Sequence, residues 1–205
     1  MQDILRQFTN GIIHSPWYEI VAVVFGIASV WYSRKENILV YPVGLVNTLM
    51  YIYLSVKGHL FGEASVNLYY SIMSVYGWVR WARKDSQHQP ELRITWSSGK
   101  DWISQLLFFL GFFVVIYFCL AYLKTGFAPG VLPVPDAFAS ATAFTGMWLM
   151  TRKKVESWYW WIATNTVSIP LYFVKGYVFT SCYYLVLFVL AIAGLVAWKK
   201  KANNE

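Results

Sequence analysis

The chain has 205 residues, of which 58% are hydrophobic, 20% aromatic and only 13% charged. A soluble domain carries roughly 25% charged residues, so the composition excludes a water-facing globular fold and leaves a chain that spends most of its length in a bilayer. The formal charge of +7, from 17 Lys+Arg against 10 Asp+Glu, does not point to nucleic acid, because the basic residues gather between apolar stretches and read as topology.

Residues 1–15 lack the basic start and compact apolar core of a cleavable signal, and are expected to form an external interfacial segment. Seven stretches almost free of charge follow, at about 16–33, 38–56, 64–82, 102–123, 136–151, 157–174 and 180–198. Each approaches the ~20 residues that cross the hydrocarbon as a helix, the fifth being the shortest. Arg34 and Lys35 follow the first span. Arg80, Arg83, Lys84, Arg93 and Lys100 surround the third connection, Arg152, Lys153 and Lys154 follow the fifth span, and Lys199, Lys200 and Lys201 follow the last. Only Arg6, Lys57, Lys124 and Lys175 fall on the other side. Basic residues accumulate in cytoplasmic loops, so the asymmetry predicts an external N-terminus and a cytoplasmic C-terminus. Little chain is left outside the spans, which gives no room for an ATPase or other soluble catalytic domain.

A shift of 118 residues lays the two ends of the chain on one another. Ser33-Arg34-Lys35 meets Thr151-Arg152-Lys153, Val46-Asn47-Thr48 meets Thr164-Asn165-Thr166, Lys57-Gly58 meets Lys175-Gly176, and Phe61 meets Phe179. After one deletion, Gly77 and Trp81 meet Gly194 and Trp198. Apolar helices resemble one another cheaply, but these matches are largely of polar residues and glycines at a constant offset, and are read as a duplication. Both repeats enter the membrane from the same side, with the fourth span as the odd linker. The expected fold is an all-α 3+1+3 bundle of parallel three-helix repeats related by an axis along the membrane normal, as in SWEET transporters. Its parts are the external segment 1–15, a first repeat 16–84, a cytoplasmic loop and linker helix 85–124, a second repeat 125–201, and a cytoplasmic tail 202–205.

In such an architecture the substrate lies near the midplane between the units. The offset pairs Asn47 with Asn165 at that depth, where an amide needs a pathway or an interhelical partner. In the sixth span Trp158, Trp161, Asn165, Ser168 and Tyr172 recur at steps of three and four, which is one helical face. Flat rings beside an amide and hydroxyls suit a planar heterocycle, and a cationic one best. The plainer role for Trp158 and Trp161 is an interfacial aromatic belt, to which Trp31, Trp78, Trp81, Trp102, Trp148 and Trp198 are assigned. The third span adds Asn67, Ser71 and Ser74 with Tyr70 adjacent. Glu19, Glu63 and Asp136 stand at the external ends, where acids either gather a cationic solute or are simply solvated. Pro42 and Pro170 interrupt spans two and six, as hinges or static kinks. Cys119 and Cys182 fall inside spans and define no disulfide framework or metal site, and no cofactor is expected.

The run Met150 to Trp158, with Trp161 and Asn165, resembles the W-x-x-W-x-x-x-N signature of the PnuC family of bacterial vitamin transporters. Gly44-Leu45-Val46-Asn47 and Tyr76-Gly77-Trp78 with Trp81 resemble that family's first half, so the likeness covers nearly the whole chain. The resemblance implies uptake of nicotinamide riboside across the inner membrane by facilitated diffusion, with a cytosolic kinase trapping the arriving vitamin. It also implies a SWEET-like fold and a homotrimer. By motif, Trp158, Trp161 and Asn165 bind substrate, with Asn47 as the amide of the first half. Position 67 is Asn where some nicotinamide riboside members carry Gln, which keeps the thiamine and riboflavin branches open.

Passive transport fits the absence of Asp, Glu, Lys, Arg and His from the middle of every span, because ion-coupled transporters usually need such groups there. No Walker motif is present. A retinal photoreceptor would need a mid-membrane Lys that the seventh span lacks, and a seven-helix receptor is disfavoured by the short loops and the repeat. His14, His59 and His88 fall outside the spans, which argues against a membrane enzyme.

Overall fold

The computed structural model describes Thr9 and residues 17–57, 61–126 and 131–204, so the expected external segment otherwise lies outside the described residues. Seven helices run through residues 17–204: α1 Trp17–Arg34, α2 Val40–Lys57, α3 Phe61–Ala82, α4 Gly99–Gly126, α5 Pro133–Met150, α6 Ser157–Val174 and α7 Val178–Asn204. Among the described residues there is no β-strand, only two isolated bridges, Lys84 with Pro90 and Thr95 with Lys154. Long apolar runs in hydrocarbon must satisfy every backbone N–H and C=O internally, and the helix does so within one segment. α4 and α7 are long and apolar enough for a span by length and composition alone. The outward faces are apolar too, as at Leu107, Val115 and Phe118 of α4.

Three boundaries differ from expectation. α5 begins at Pro133 and has 18 residues, as many as α1, α2 and α6. Proline suits a helix start because its missing N–H is an orphan there anyway, and the Asp136 carboxylate accepts the Leu132 N–H at 2.8 Å. α7 continues to Asn204, so Lys199, Lys200 and Lys201 ride on its last turns instead of following it. Pro42 is the third residue of α2, where it breaks no interior hydrogen bond. Only Pro170, inside α6, remains as an interior break.

α1 packs on α2 and α2 on α3; α5 packs on α6 and α6 on α7; α1 meets α7, and α3 meets α5. Exchanging the first three helices for the last three maps these contacts onto themselves. α4 lies against α5, and its Gln105 accepts the Trp160 indole N–H of α6 at 3.1 Å.

The residue-level contacts repeat at an offset of 117, not 118. α2 and α6 share that offset at both ends. α1 and α5 end in the same turn, with Asn37 N–H to Tyr32 C=O at 2.9 Å and Lys154 N–H to Leu149 C=O at 3.1 Å. Each turn sets a non-glycine residue in the left-handed region, Glu36 at φ 57 and Lys153 at φ 53. Gly77 of α3 has the Tyr41 ring where a Cβ would stand, and Gly194 of α7 has the Trp158 ring in the same place. Tyr41 meets Trp81 edge-on at 5.1 Å, and Trp158 meets Trp198 edge-on at 5.5 Å.

These rings form a buried cluster at the end of the bundle that carries the basic residues. Trp81 and Trp198 are 7% and 0% exposed, so they are not belt residues. Each spends its indole N–H on the opposite half: Trp198 on Ser33 C=O at 3.0 Å, and Trp81 on Met150 C=O at 3.3 Å. Trp31, Trp78 and Trp102 are 38–41% exposed, as a belt requires.

Candidate functional site

α6 carries the densest group of buried polar side chains within a span. Thr164, Asn165 and Ser168 are 5%, 3% and 2% exposed. Thr164 is spent on structure, donating to Thr142 Oγ1 of α5 and the Trp160 carbonyl, both at 2.9 Å. Asn165 and Ser168 make no side-chain hydrogen bond among the described residues. Neither side chain is used to hold helices together, so within the span this amide and hydroxyl are the polar groups left able to bond a solute.

Trp161 lies one turn before Asn165, its ring 3.2 Å from where a Cβ on Gly146 of α5 would be. A methyl group at 146 would press on the indole, which would have to give by a few tenths of an ångström. Facing it from α3 is Tyr70, with ring centroids 6.3 Å apart at 42°. Tyr70 also stands edge-on to Phe144 at 5.9 Å. Neighbouring Tyr69 stacks on Phe144 at 4.1 Å and donates its hydroxyl to the Phe144 carbonyl at 3.1 Å. Aromatic residues from both halves of the chain therefore meet where α3, α5 and α6 converge. Tyr172, further along α6, stacks on Tyr184 of α7 at 5.1 Å and 12°.

On the other side, Asn47 of α2 donates to the Ala22 carbonyl of α1 at 2.6 Å. Its amide nitrogen and the Tyr183 hydroxyl of α7 both crowd Gly26, which has no Cβ to exclude them. Asn67 lies on α3, and its carbonyl accepts the Ser71 hydroxyl at 3.0 Å. Ser71 also shares a hydrogen bond with Thr48 at 2.8 Å.

Trp158, one turn before Trp161, sits elsewhere. It is 1% exposed within the basic-end cluster, its ring seated on Gly194. Its indole nitrogen is buried without a partner. The offset of 117 also separates the two amides. Asn47 corresponds to Thr164, and Asn165 to Thr48, so the expected opposition of equivalent amides does not hold; one residue of slip rotates a helical side chain by about 100°.

Of the expected external acids, Asp136 is committed to Lys175, at 2.7 and 2.8 Å, and to the start of α5. It is not free to gather a solute. The Glu63 side chain lies outside the described residues. A cavity of about 520 Å³ opens between α1 and α2, lined by Trp17, Tyr18, Leu49, Met50 and Tyr53. Trp17, Leu49 and Tyr53 are 56–70% exposed, so it faces outward from the bundle.

Sequence reasoning missed Tyr183, Tyr184 and Phe144. All three look like ordinary lipid-facing or packing residues in an apolar run. The usable signal was Gly26, a glycine within a span, where close approach by another helix is a common reason for the residue.

An all-helical bundle with apolar outer faces and an interior aromatic and amide cluster is that of a polytopic membrane transporter. The family described as nicotinamide mononucleotide transporter matches residues 16–200, and the chain belongs to that family, the PnuC transporters, which are not enzymes. Among its relatives, the nicotinamide riboside transporter PnuC of Escherichia coli is 24% identical, over 96% of this chain and 94% of its own. The riboflavin/roseoflavin transporter RibM of Streptomyces davaonensis is 25% identical, over 94% and 89%. A crystal structure of the vitamin B3 transporter PnuC superimposes with a TM-score of 0.72 at 20% identity, covering 98% of this chain and 90% of that one.

Proposed function

We propose that this protein carries nicotinamide riboside across the bacterial inner membrane by facilitated diffusion, and that a cytosolic kinase traps the vitamin after entry. The observation that carries this reading is the unpartnered Asn165–Ser168 pair beside the Trp161–Tyr70 rings. A cationic pyridinium ring suits the exposed edge and face of these aromatics, and its carboxamide is the complement of a buried amide. Asn47, Asn67 and Tyr172 border the same interior and are assigned to the ribose side. Trp158 is assigned the floor of the site, toward the basic end.

The two halves, α1–α3 and α5–α7, are read as parallel three-helix units in a SWEET-like 3+1+3 arrangement. Support comes from the contact pattern that maps onto itself and from the recurring offset of 117. With the basic end in the cytoplasm, the N-terminus is external. The functional unit is read as a homotrimer.

Riboflavin is the second reading, favoured by the RibM relative; Asn at position 67 leaves thiamine equally open as the other family substrate. Calorimetry of purified protein with nicotinamide riboside, thiamine and riboflavin decides among them. Nicotinamide riboside binds with at least about tenfold preference, and Asn165→Ala weakens that binding by about tenfold, the scale of one lost hydrogen bond. Preference for either other vitamin overturns the substrate assignment.

A further inference from the structure

Glu36 and Lys153 hold equivalent places, two residues past the end of α1 and three past the end of α5, where each turn goes left-handed. Glycine is the usual occupant, because a side chain there costs about 1 kcal/mol. Here both positions carry long charged residues of opposite sign, and they bond to each other: Lys153 Nζ lies 2.7 Å from Glu36 Oε1. The Lys153 side chain is 5% exposed. Its remaining contacts are the Leu92 carbonyl at 2.9 Å and the face of Trp81, 4.8 Å from the ring centre. The second oxygen of Glu36 takes Lys201 of α7 at 2.8 Å. Three residues earlier the pattern recurs, with Ser33 Oγ 3.0 Å from Met150 Sδ.

Residues that touch their own equivalents lie on the axis relating the two halves. Both pairs, Ser33–Met150 and Glu36–Lys153, are at the basic end, so that end is closed across the axis. The reciprocal indole bonds of Trp81 and Trp198 add to the closure. The same cluster holds two buried polar atoms without partners, the Tyr41 hydroxyl and the Trp158 indole nitrogen, at equivalent positions. Each destabilises the closed arrangement, since an unpaired buried polar group loses its hydration without return. Separation of the halves would hydrate both. The closed end is thus a balance, with orphaned polar groups favouring opening and a charge pair holding it shut.

We propose that Glu36 and Lys153 form the latch of an inner gate, which joins the two three-helix units at their cytoplasmic end and must release for solute to leave. This rests on the parallel-unit transporter reading above. Breaking the pair biases the protein toward an inward-open state; the second bridge, from Glu36 to Lys201 of α7, also crosses between the halves and must part with it.

The test is a distance measurement between spin labels at Lys35→Cys and Arg152→Cys, on a background of Cys119→Ala and Cys182→Ala, in the intact protein. Glu36→Gln and Lys153→Gln each shift the distance population to longer values, by about tenfold in the open-to-closed ratio, the scale of a modest ligand-type population shift. A charge exchange, Glu36→Lys with Lys153→Glu, restores the short distance. It is made on Lys201→Gln, because a new ammonium at 36 would otherwise face Lys201. Both positions already tolerate a long unbranched side chain at positive φ, so the exchange adds no backbone strain. Distances unmoved in both single variants overturn the latch, as does an exchange that fails to restore the short distance. The readout needs no solute, so a wrong substrate would leave the result intact and appear only in the parallel uptake assay.

Discussion

Gly77 and Gly194 close the basic end by having no side chain. Each admits an aromatic ring into the space a Cβ would take, Tyr41 in one half and Trp158 in the other. The rings are fixed in turn by Trp81 and Trp198. Gly194→Ala is therefore expected to displace the Trp158 ring and destabilise the protein by about 1–3 kcal/mol, the usual range for overpacking. A lowered thermal unfolding midpoint in detergent checks it, and an unchanged midpoint contradicts it. At Glu36, burial pushes the carboxyl up, but the paired ammoniums of Lys153 and Lys201 outweigh it and hold the group below the usual carboxylate range. A group lowered in this way stabilises the closed end at pH above its ordinary value and loses that contribution only as pH falls through the lowered one. The short label distance is accordingly constant from neutral to mildly acidic pH and lengthens only in stronger acid. Lengthening between pH 7 and 6 would contradict the assignment.

At the scale of elements, all seven helices were legible from charge-free length, because hydrocarbon leaves few alternatives. Their ends were less so. The extra turns of α4 and α7 carry Lys100, Asp101 and Lys199 to Lys201, and charge was read as the end of a span when it marks only the end of the membrane. The recurrence of Gly77 and Trp81 at Gly194 and Trp198 was legible in the sequence, because the packing role of these residues fixes their place. Its register was not, because Asn47 and Asn165, and the paired Arg-Lys steps, align by type one residue away from where they align by contact. The Arg34-Lys35 and Arg152-Lys153 match hid the pairing of Glu36 with Lys153. The first tryptophan of the signature was likewise read by its face of α6, whereas the glycine opposite it decides where the ring goes.

One network ties the connection between α3 and α4 to α6. Glu156, 2% exposed, accepts the Ser97 N–H at 2.7 Å and its hydroxyl at 2.8 Å, while Gln105 bonds both Ser97, at 2.8 Å, and Trp160. Glu156→Ala leaves the Ser97 amide unpaired, so hydrogen exchange there should quicken about tenfold or more while α2 amides keep their rates. Equal rates at Ser97 in variant and parent would show that the network is dispensable.

For the whole molecule, the 58% hydrophobic composition becomes a six-helix ring with α4 outside it, closed at the basic end. The interior holds rings and amides and no ionisable pair among the described residues at the depth of Trp161 and Asn165. Movement down a gradient needs only that the inner end open and the solute leave; coupling to an ion would need a charged group that changes partner within the pathway. The most direct test of this account is uptake of labelled nicotinamide riboside into proteoliposomes without ATP or any ion gradient. The account predicts that internal label rises to the external concentration and stops there, with the same plateau when a proton or sodium gradient is imposed. Accumulation above the external concentration under a proton gradient, or entry of thiamine or riboflavin with none of nicotinamide riboside, would contradict it.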